Sequence, residues 1–411
     1  MTYCRDRLEK DFNDLARFGS LESGGFTRVA FSLEDMAARS WLKTTMENAG
    51  LDVAVDAVGN IRGRRPGRER LPAVMLGSHL DTVPEGGNYD GSVGVLAALE
   101  VIRVLNDRGV VTKRPIEVIN FSAEESSRFG VATIGSKTIT GKFSLQDLKQ
   151  LTDMDGFTLY ETLKANGYHP DNIELSRLER DDIHAFIELH IEQGPVLESK
   201  ECPLGIVTSI AAPTRYSVTI TGRADHSGNT PMDLRKDALA AASELILGVE
   251  RIAREKSGEN TVATVGYLYV TPGAMNVVPG KVELGIDIRS ICSSSKNNVA
   301  TSILCLMDQI ATDRGLNISH EKLCDDEPVI LSDKIISTLV STAQHTQRPY
   351  IKLPSGAGHD AMNMASITDV GMIFIPSVGG ISHNIEEYSR MEDICTGTEL
   401  LLAAALSLAN E

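Results

Sequence analysis

The stretches Gly77-Ser78-His79-Leu80-Asp81-Thr82 and Gly86-Gly87-Asn88-Tyr89-Asp90-Gly91, with the acidic pair Glu124-Glu125, bring one histidine and four carboxylates into a short span of chain. Residues two apart in an extended strand end face the same way, so His79 can bind a metal while Asp81 accepts the other ring N–H and fixes the tautomer. The plainer alternative is that His79 ends a strand and Asp81 caps a turn. Asp90 has two oxygens and can bridge two cations of the kind that two-metal hydrolases hold, or it can simply cap the helix that follows. Two adjacent carboxylates beside apolar surface are costly without a cation or a proton. Neighbouring side chains point in different directions, so one glutamate can bind metal while the other acts as general base toward water. A solvated acidic turn is the alternative for that pair. His190, in Glu188-Leu189-His190-Ile191-Glu192-Gln193-Gly194, and His383, in Gly379-Gly380-Ile381-Ser382-His383-Asn384, add two imidazoles next to apolar runs. Carboxylate and imidazole ligands without thiolate suit Zn, Mn, Co or Ni.

These groups must be held by a regular scaffold. Residues 73–80 form an apolar run that ends in the first motif, 91–105 have helical spacing with small residues, and 115–122 form a second apolar run. That strand, helix, strand order predicts a largely parallel sheet covered by helices on both faces, with ligands gathered at the carboxyl ends of the strands. The texture changes near residue 205. Residues 205–221 and 261–270 alternate like half-exposed strands, 231–257 read as a long helix, and 281–289 as another strand. A helix at 297–313 and a strand at 316–323 complete a β-α-β-β-α-β order, which is that of a ferredoxin-like α+β layer. After about Asp326 the α/β texture returns, with a helix over 332–345, an apolar run at 371–376 and a closing helix over 391–408. The sequence therefore predicts a catalytic α/β domain with a mostly parallel sheet, residues 1–210 and 327–411, interrupted by an inserted α+β domain at 211–326.

The chain has 411 residues, 42% hydrophobic and 23% charged, enough for two cores. Its formal net charge of -16 argues against nucleic acid as a partner, since phosphate binding needs clustered Lys and Arg. An anionic small molecule would instead need a specific arginine, and Arg289 is the candidate. Six scattered cysteines without a C-x-x-C pair read as reduced thiols. The amphipathic start at residues 1–16 lacks an apolar signal core, and no segment is long and apolar enough to span a membrane. A cytoplasmic protein is expected. No G-x-S-x-G elbow and no G-x-x-x-x-G-K-[ST] loop occurs.

These motifs, with Ala123-Glu124-Glu125, His226-Ser227-Gly228-Asn229-Thr230-Pro231-Met232, Asn276-Val277-Val278-Pro279 and Ser355-Gly356-Ala357-Gly358-His359-Asp360, run along nearly the whole chain. Together they resemble the dinuclear metal amidohydrolases of the M20 peptidase superfamily, specifically the hydantoinase/carbamoylase branch. The resemblance implies two divalent ions, Zn or else Mn, Co or Ni, one held by His79, Asp90 and His190 and the other by Asp90, Glu125 and His383. It implies Glu124 as general base and Asp81 as the group that orients His79. The insert becomes a homodimerisation and lid domain, from which His226 stabilises the developing oxyanion. Arg289 becomes the clasp for a substrate carboxylate, a strand-end ion pair being its plainer reading. Gln193, Asn276, Gly358 and His359 become further substrate contacts. The implied reaction removes the terminal carbamoyl group of a small ureido acid, foremost an N-carbamoyl-L-amino acid, with allantoate as rival substrate and aminoacylase or dipeptidase activity as the alternative.

Two departures from the family pattern stand out. Ser126-Ser127 follow the glutamate pair where relatives commonly carry a third acid or a glycine. Ala212-Pro213 stand where allantoate amidohydrolases have a Gly-Gln step, yet Arg215 matches their arginine and points to a polar or anionic substrate arm.

Overall fold

Runs of buried apolar residues, several rich in Val and Ile, form the central strands of the protein, seen here in a computed structural model that describes residues 5–256 and 261–411. Cys4, the first four residues of the amphipathic start, and Ser257 of the expected long helix lie outside the described residues. In chain order the strands are β1 (Asp52–Val55), β2 (Ile61–Arg65), β3 (Ala73–His79), β4 (Ile116–Phe121), β5 (Ile183–Ile191) and β6 (Gly205–Ile210). Then follow β7 (Ala212–Thr221), β8 (Asp225–His226), β9 (Thr261–Thr271), β10 (Val277–Val278), β11 (Lys281–Ser290) and β12 (Asn317–Asp325). The last are β13 (Val329–Ile330), β14 (Ile351–Ser355) and β15 (Asp369–Ile375). The chain divides into two compact units, one made of the residues up to Thr208 with Leu331–Leu353 and His359–Glu411, the other of Ser209–Ile330 with Pro354–Gly358.

In the first unit β3 and β4 are buried at every residue, and β5 and β15 at all but one each. Burial on both faces is what parallel strands under two helical layers require. The sheet runs β1-β2-β4-β3-β5-β15-β6. Its four central strands, β4, β3, β5 and β15, are parallel, while the flanking pairs β1–β2, β2–β4 and β15–β6 are antiparallel. The helix Ser92–Asp107, buried without a break from Ser92 to Ile102, packs on β3 and against the helix Met391–Ala409. Because the central strands run the same way, their carboxyl ends lie along one edge, where His79 ends β3, His190 nearly ends β5, and Glu124 follows β4.

The second unit has an antiparallel sheet in the order β12-β7-β11-β9. The helices Ala238–Lys256 and Ser293–Arg314 pack together, and their apolar residues, Leu245 and Ile303 among them, join Val218, Ile220 and Leu284 of the strands in one core. Two expectations about elements change. The single run 205–221 breaks at Ala211, and its halves join different sheets. The helix expected from Pro231 begins only at Ala238, because Asp237 accepts the Leu239 and Ala240 amides at 2.9 and 3.0 Å and ends the preceding loop. The N-terminal helix Leu33–Asn48, capped by Ser32, and the β1–β2 hairpin were not anticipated.

Candidate active site

Asp90 is the centre of the first unit's polar cluster. The Nδ1 atoms of His79 and His190 each face a main-chain carbonyl, of Asp81 and Ile191 respectively, at 2.9 Å. Those nitrogens are committed as donors, so each ring turns Nε2 toward the cluster. Both Nε2 atoms approach the same oxygen, Asp90 Oδ1, at 3.6 and 3.1 Å. His383 Nε2 lies 3.2 Å from the other oxygen, Oδ2, and 3.3 Å from Glu125 Oε1. One carboxylate is thus shared by two sets of three ligand atoms, His79–Asp90–His190 and Asp90–Glu125–His383, each set lying within 4.8 Å. That donor set fits a pair of divalent cations bridged by one carboxylate.

The loops that carry these groups are constrained. Gly91 has φ +65°, and a Cβ there would fall 2.4 Å from the His79 ring, so only glycine lets the loop pass. Ala123, Gln193 and His383 all have positive φ without being glycine, a concentration of backbone strain around one site. Glu387 accepts the Tyr89 and Asp90 amides at 3.1 and 3.0 Å, and the Ser382 hydroxyl donates to both Glu387 and Asp90 at 2.8 and 3.1 Å. Neither residue was anticipated as part of the site: Ser382 lies inside the quoted His383 motif without a role assigned to it, and Glu387 lies beyond it.

The cluster's electrostatics demand positive charge. Burial opposes ionisation of Asp90, but the attraction of His190 and hydrogen bonds from His190, His383 and His79 outweigh it and hold the carboxyl well below its usual range. Hydrogen bonds to Asp90 and Glu125 push the His383 imidazole up to about 11. Burial pushes His79 down, and Glu124, Asp90 and Asp81 more than reverse it. Burial drives the Glu124 carboxyl well above its ordinary value, with Glu125 adding to the shift against the pull of His79. A buried carboxyl with so raised a proton affinity suits general-base work. Its Oε2 lies 3.8 Å from His79 Nε2.

Asp81, expected to orient His79, faces it in two ways. Its main-chain oxygen meets His79 Nδ1, and the nearer carboxylate oxygen lies at 3.8 Å. The carboxylate also takes the Glu124 and Glu125 amides, at 3.2 and 3.0 Å. The physical reason is that these amides have left the sheet and need an acceptor.

Gln193 lies in the same cluster, its Nε2 donating to Asp90 Oδ2 at 2.6 Å, while its Oε1 is buried without a hydrogen-bond partner among the described residues. His359 is 2% exposed and packs edge-on against His190, ring centres 4.5 Å apart. With Glu188 and His190 it forms a third set of ligand atoms within 4.8 Å. Glu188 itself accepts from the Ser78 hydroxyl at 2.6 Å and the Ala361 amide at 3.1 Å.

The remaining expected residues belong to the second unit. His226 Nδ1 accepts the Gly228 and Asn229 amides at 3.0 and 3.2 Å, so in the neutral ring the proton sits on Nε2, which can donate. Asn276 is its neighbour, the Ser227 amide donating to the Asn276 carbonyl at 3.0 Å. Arg289 donates to Asp287 Oδ2 through Nε and Nη2 at 3.2 and 3.1 Å, and through Nη1 to the Gly356 carbonyl at 3.2 Å. Arg215 approaches the same Asp287 oxygen at 3.4 Å. The strand-end ion pair considered for Arg289 is therefore present, and it groups two guanidiniums around one carboxylate. Gly358 closes the short segment Pro354–Gly358 that belongs to this unit.

A parallel sheet with an acidic and imidazole cluster at its carboxyl edge defines a hydrolase of the metal-dependent kind. A model of Peptidase family M20/M25/M40 matches residues 75–407, and the chain belongs to that family. It is 39% identical over 404 residues, 98% of each chain, to the N-carbamoyl-L-amino-acid amidohydrolase of Paenarthrobacter aurescens. It is 41% identical over 409 residues to the ureidoglycolate hydrolase of Oryza sativa subsp. japonica, covering 98% of this chain and 84% of that one. The crystal structure of a hydantoinase/carbamoylase family amidase from Burkholderia multivorans matches with a TM-score of 0.91 at 37% identity, covering 100% of this chain and 98% of the other. The protein is an amidohydrolase enzyme. Among the described residues no helix is long and apolar enough to cross a membrane.

Proposed function

We propose that this amidohydrolase cleaves the terminal ureido C–N bond of a small ureido acid, foremost an N-carbamoyl-L-amino acid. Water adds to the ureido carbon, ammonia leaves, and the carbamate left behind loses carbon dioxide. The observation that carries the proposal is the sharing of Asp90 between two ligand sets with Glu124 alongside. His79, Asp90 and His190 would hold one divalent ion and Asp90, Glu125 and His383 a second, Zn or else Mn, Co or Ni. Such a pair polarises the scissile carbonyl and acidifies water.

Glu124 takes the proton of the attacking water and returns it to the leaving nitrogen. His226 Nε2–H donates to the oxyanion as it develops, a role supported by the two amides that occupy Nδ1. Arg289 clasps the substrate carboxylate through the Nη protons left once Asp287 steadies its Nε–Nη2 edge and Nη1 donates to the Gly356 carbonyl. Gln193, Asn276, Gly358 and His359 contact the ureido and carboxylate groups. The second unit serves as lid and homodimer contact. The length of its edge strand β9 and the exposure of Val262, Tyr267 and Tyr269 along it support pairing with a second copy. The free thiols of Cys202, Cys292, Cys305 and Cys324 support a reducing, cytoplasmic setting.

Allantoate or ureidoglycolate is the second reading, favoured by the placement of Arg215 beside Arg289, which would suit a more polar or doubly anionic ureide. Ammonia release from N-carbamoyl-L-amino acids, allantoate, ureidoglycolate and dipeptides by metal-loaded enzyme separates these readings. Peptide cleavage without ureide cleavage would overturn the substrate class.

A further inference from the structure

Two motif residues beside the site have no chemistry of their own, Thr82 at the end of the first motif and Asn88 two positions before Asp90. Both meet Arg28. Residues 26–28 lie along the loop that leads from His79 to Asp90. Phe26 and Gly86 exchange both main-chain hydrogen bonds at 2.8 Å, and the Glu85 amide donates to the Thr27 hydroxyl at 2.8 Å. The Thr82 amide donates to the Arg28 carbonyl at 2.9 Å, and the Arg28 amide donates to the Thr82 hydroxyl at 2.8 Å. The Arg28 side chain then reaches both ends of that loop. Its Nε donates to the Leu80 carbonyl at 2.7 Å, one residue past His79, and its Nη2 faces Asn88 Oδ1 and Ser92 Oγ, each at 3.4 Å, two residues to either side of Asp90. Nη1 donates to the Phe18 carbonyl at 2.9 Å.

The guanidinium is fully buried, and among the described residues no carboxylate is hydrogen-bonded to it. Burial pushes Arg28 down to about 10, with Asp35 and Asp81 pulling it back, so it stays charged near neutrality. A buried cation without a paired anion is costly, and such a residue needs a reason to be there. Arg39, also buried, shows the ordinary arrangement, its Nε paired with Asp35 at 2.7 Å.

We infer that Arg28 is a positioning residue for the first ion's ligands: its guanidinium fixes the Asp90 loop against the exit of β3 and so sets where Asp90 stands relative to His79. The inference rests on the reading that His79 and Asp90 share an ion. A planar guanidinium presents five donors in a rigid fork, whereas a lysine ammonium has three on a flexible stem and cannot serve all four acceptors at once. The charge alone works against metal binding, since a fixed cation repels another. Loss of the clamp and loss of the charge therefore move metal affinity in opposite directions.

The test reads metal affinity by chelator competition without substrate, together with the visible spectrum of the Co-loaded protein. Arg28→Lys keeps the charge and loses the clamp, so binding should weaken by about 10–100-fold and the spectrum of the bound ion should change. Arg28→Met should also bind more weakly than the unaltered protein, and tighter binding would show that the charge and not the clamp reaches the site. Arg39→Lys is the control for general destabilisation: it should lower the midpoint of thermal unfolding and leave affinity within about twofold. Unchanged affinity or an unchanged spectrum in Arg28→Lys, or an equal loss of affinity in Arg39→Lys, would overturn the inference. Should the Arg28 variants fail to fold, Asn88→Ala combined with Ser92→Ala decides, because it keeps the guanidinium and its bonds to Leu80 and Phe18. A several-fold loss of affinity is expected there, and none would overturn the inference. If the unaltered protein binds no ion, the ligand reading fails and the inference with it; if it binds ions and the variants bind them equally well, the inference alone fails.

Discussion

The polar groups of the two units differ first in burial. In the first unit His79, Asp81 and His190 are at most 2% exposed, and each hydrogen-bonds to main chain. In the second, the side chains of Arg215 and Arg289 are 40% and 32% exposed and His226 is exposed. Buried charges must be compensated within the fold, so geometry and charge balance are lost together when one is removed. Exposed groups are solvated and can be changed without leaving a buried charge uncompensated. His383 joins the two behaviours, being half exposed while facing Asp90 and Glu125.

That contrast orders the expected effects. Asp90→Asn removes the shared carboxylate, and metal analysis should find neither ion retained after dialysis; retention of both would break the distinction between shared and peripheral ligands. Glu124→Gln should keep its metal and lose about 10²–10⁴-fold in kcat, measured as ammonia release, and undiminished turnover would remove it from the base role. Metal affinity should rise with pH. The His383 imidazole, raised to about 11, holds its proton across the neutral range, so binding an ion there must release it, and affinity should climb about tenfold per pH unit. Titration calorimetry at pH 6 to 8 would reveal a flat profile if no proton is displaced. Arg289→Lys keeps the charge without the fork, so KM should rise by about tenfold with kcat little changed, and an unchanged KM would remove it from the substrate. The smallest effect is expected for Arg215→Met, a few-fold change in relative kcat/KM between ureides with and without a second polar arm. An equal change for every ureide would assign Arg215 to the Asp287 ion pair alone.

Much of the buried unit was legible from the chain because its signals are local. Strand ends carry His79 and His190, apolar runs precede Glu124 and His383, and periodicity marks β3, β4 and the helix Ser92–Asp107. That Asp81 also takes the Glu124 and Glu125 amides was not legible, since it depends on how the chain turns at Ala123. Glu387 was missed for a related reason, since the Tyr89 and Asp90 amides it holds are remote in sequence, and Ser382, though inside the His383 motif, acts on Asp90 almost three hundred residues away. The late helix start at Ala238 shows a cap, Asp237, prevailing over apolar periodicity. The Arg215–Asp287–Arg289 group could not be read because the register of β7 against β11, which sets Arg215 opposite Asp287, is a tertiary property.

We propose that Asp90 joins two metal sites with Glu124 beside them. Anomalous diffraction from crystals of the Zn- or Mn-loaded enzyme tests it most directly. Two peaks are expected to flank the Asp90 carboxylate, one reached by His79 and His190 and the other by Glu125 and His383. A single peak held by Glu188, His190 and His359, with none at Asp90, would contradict it.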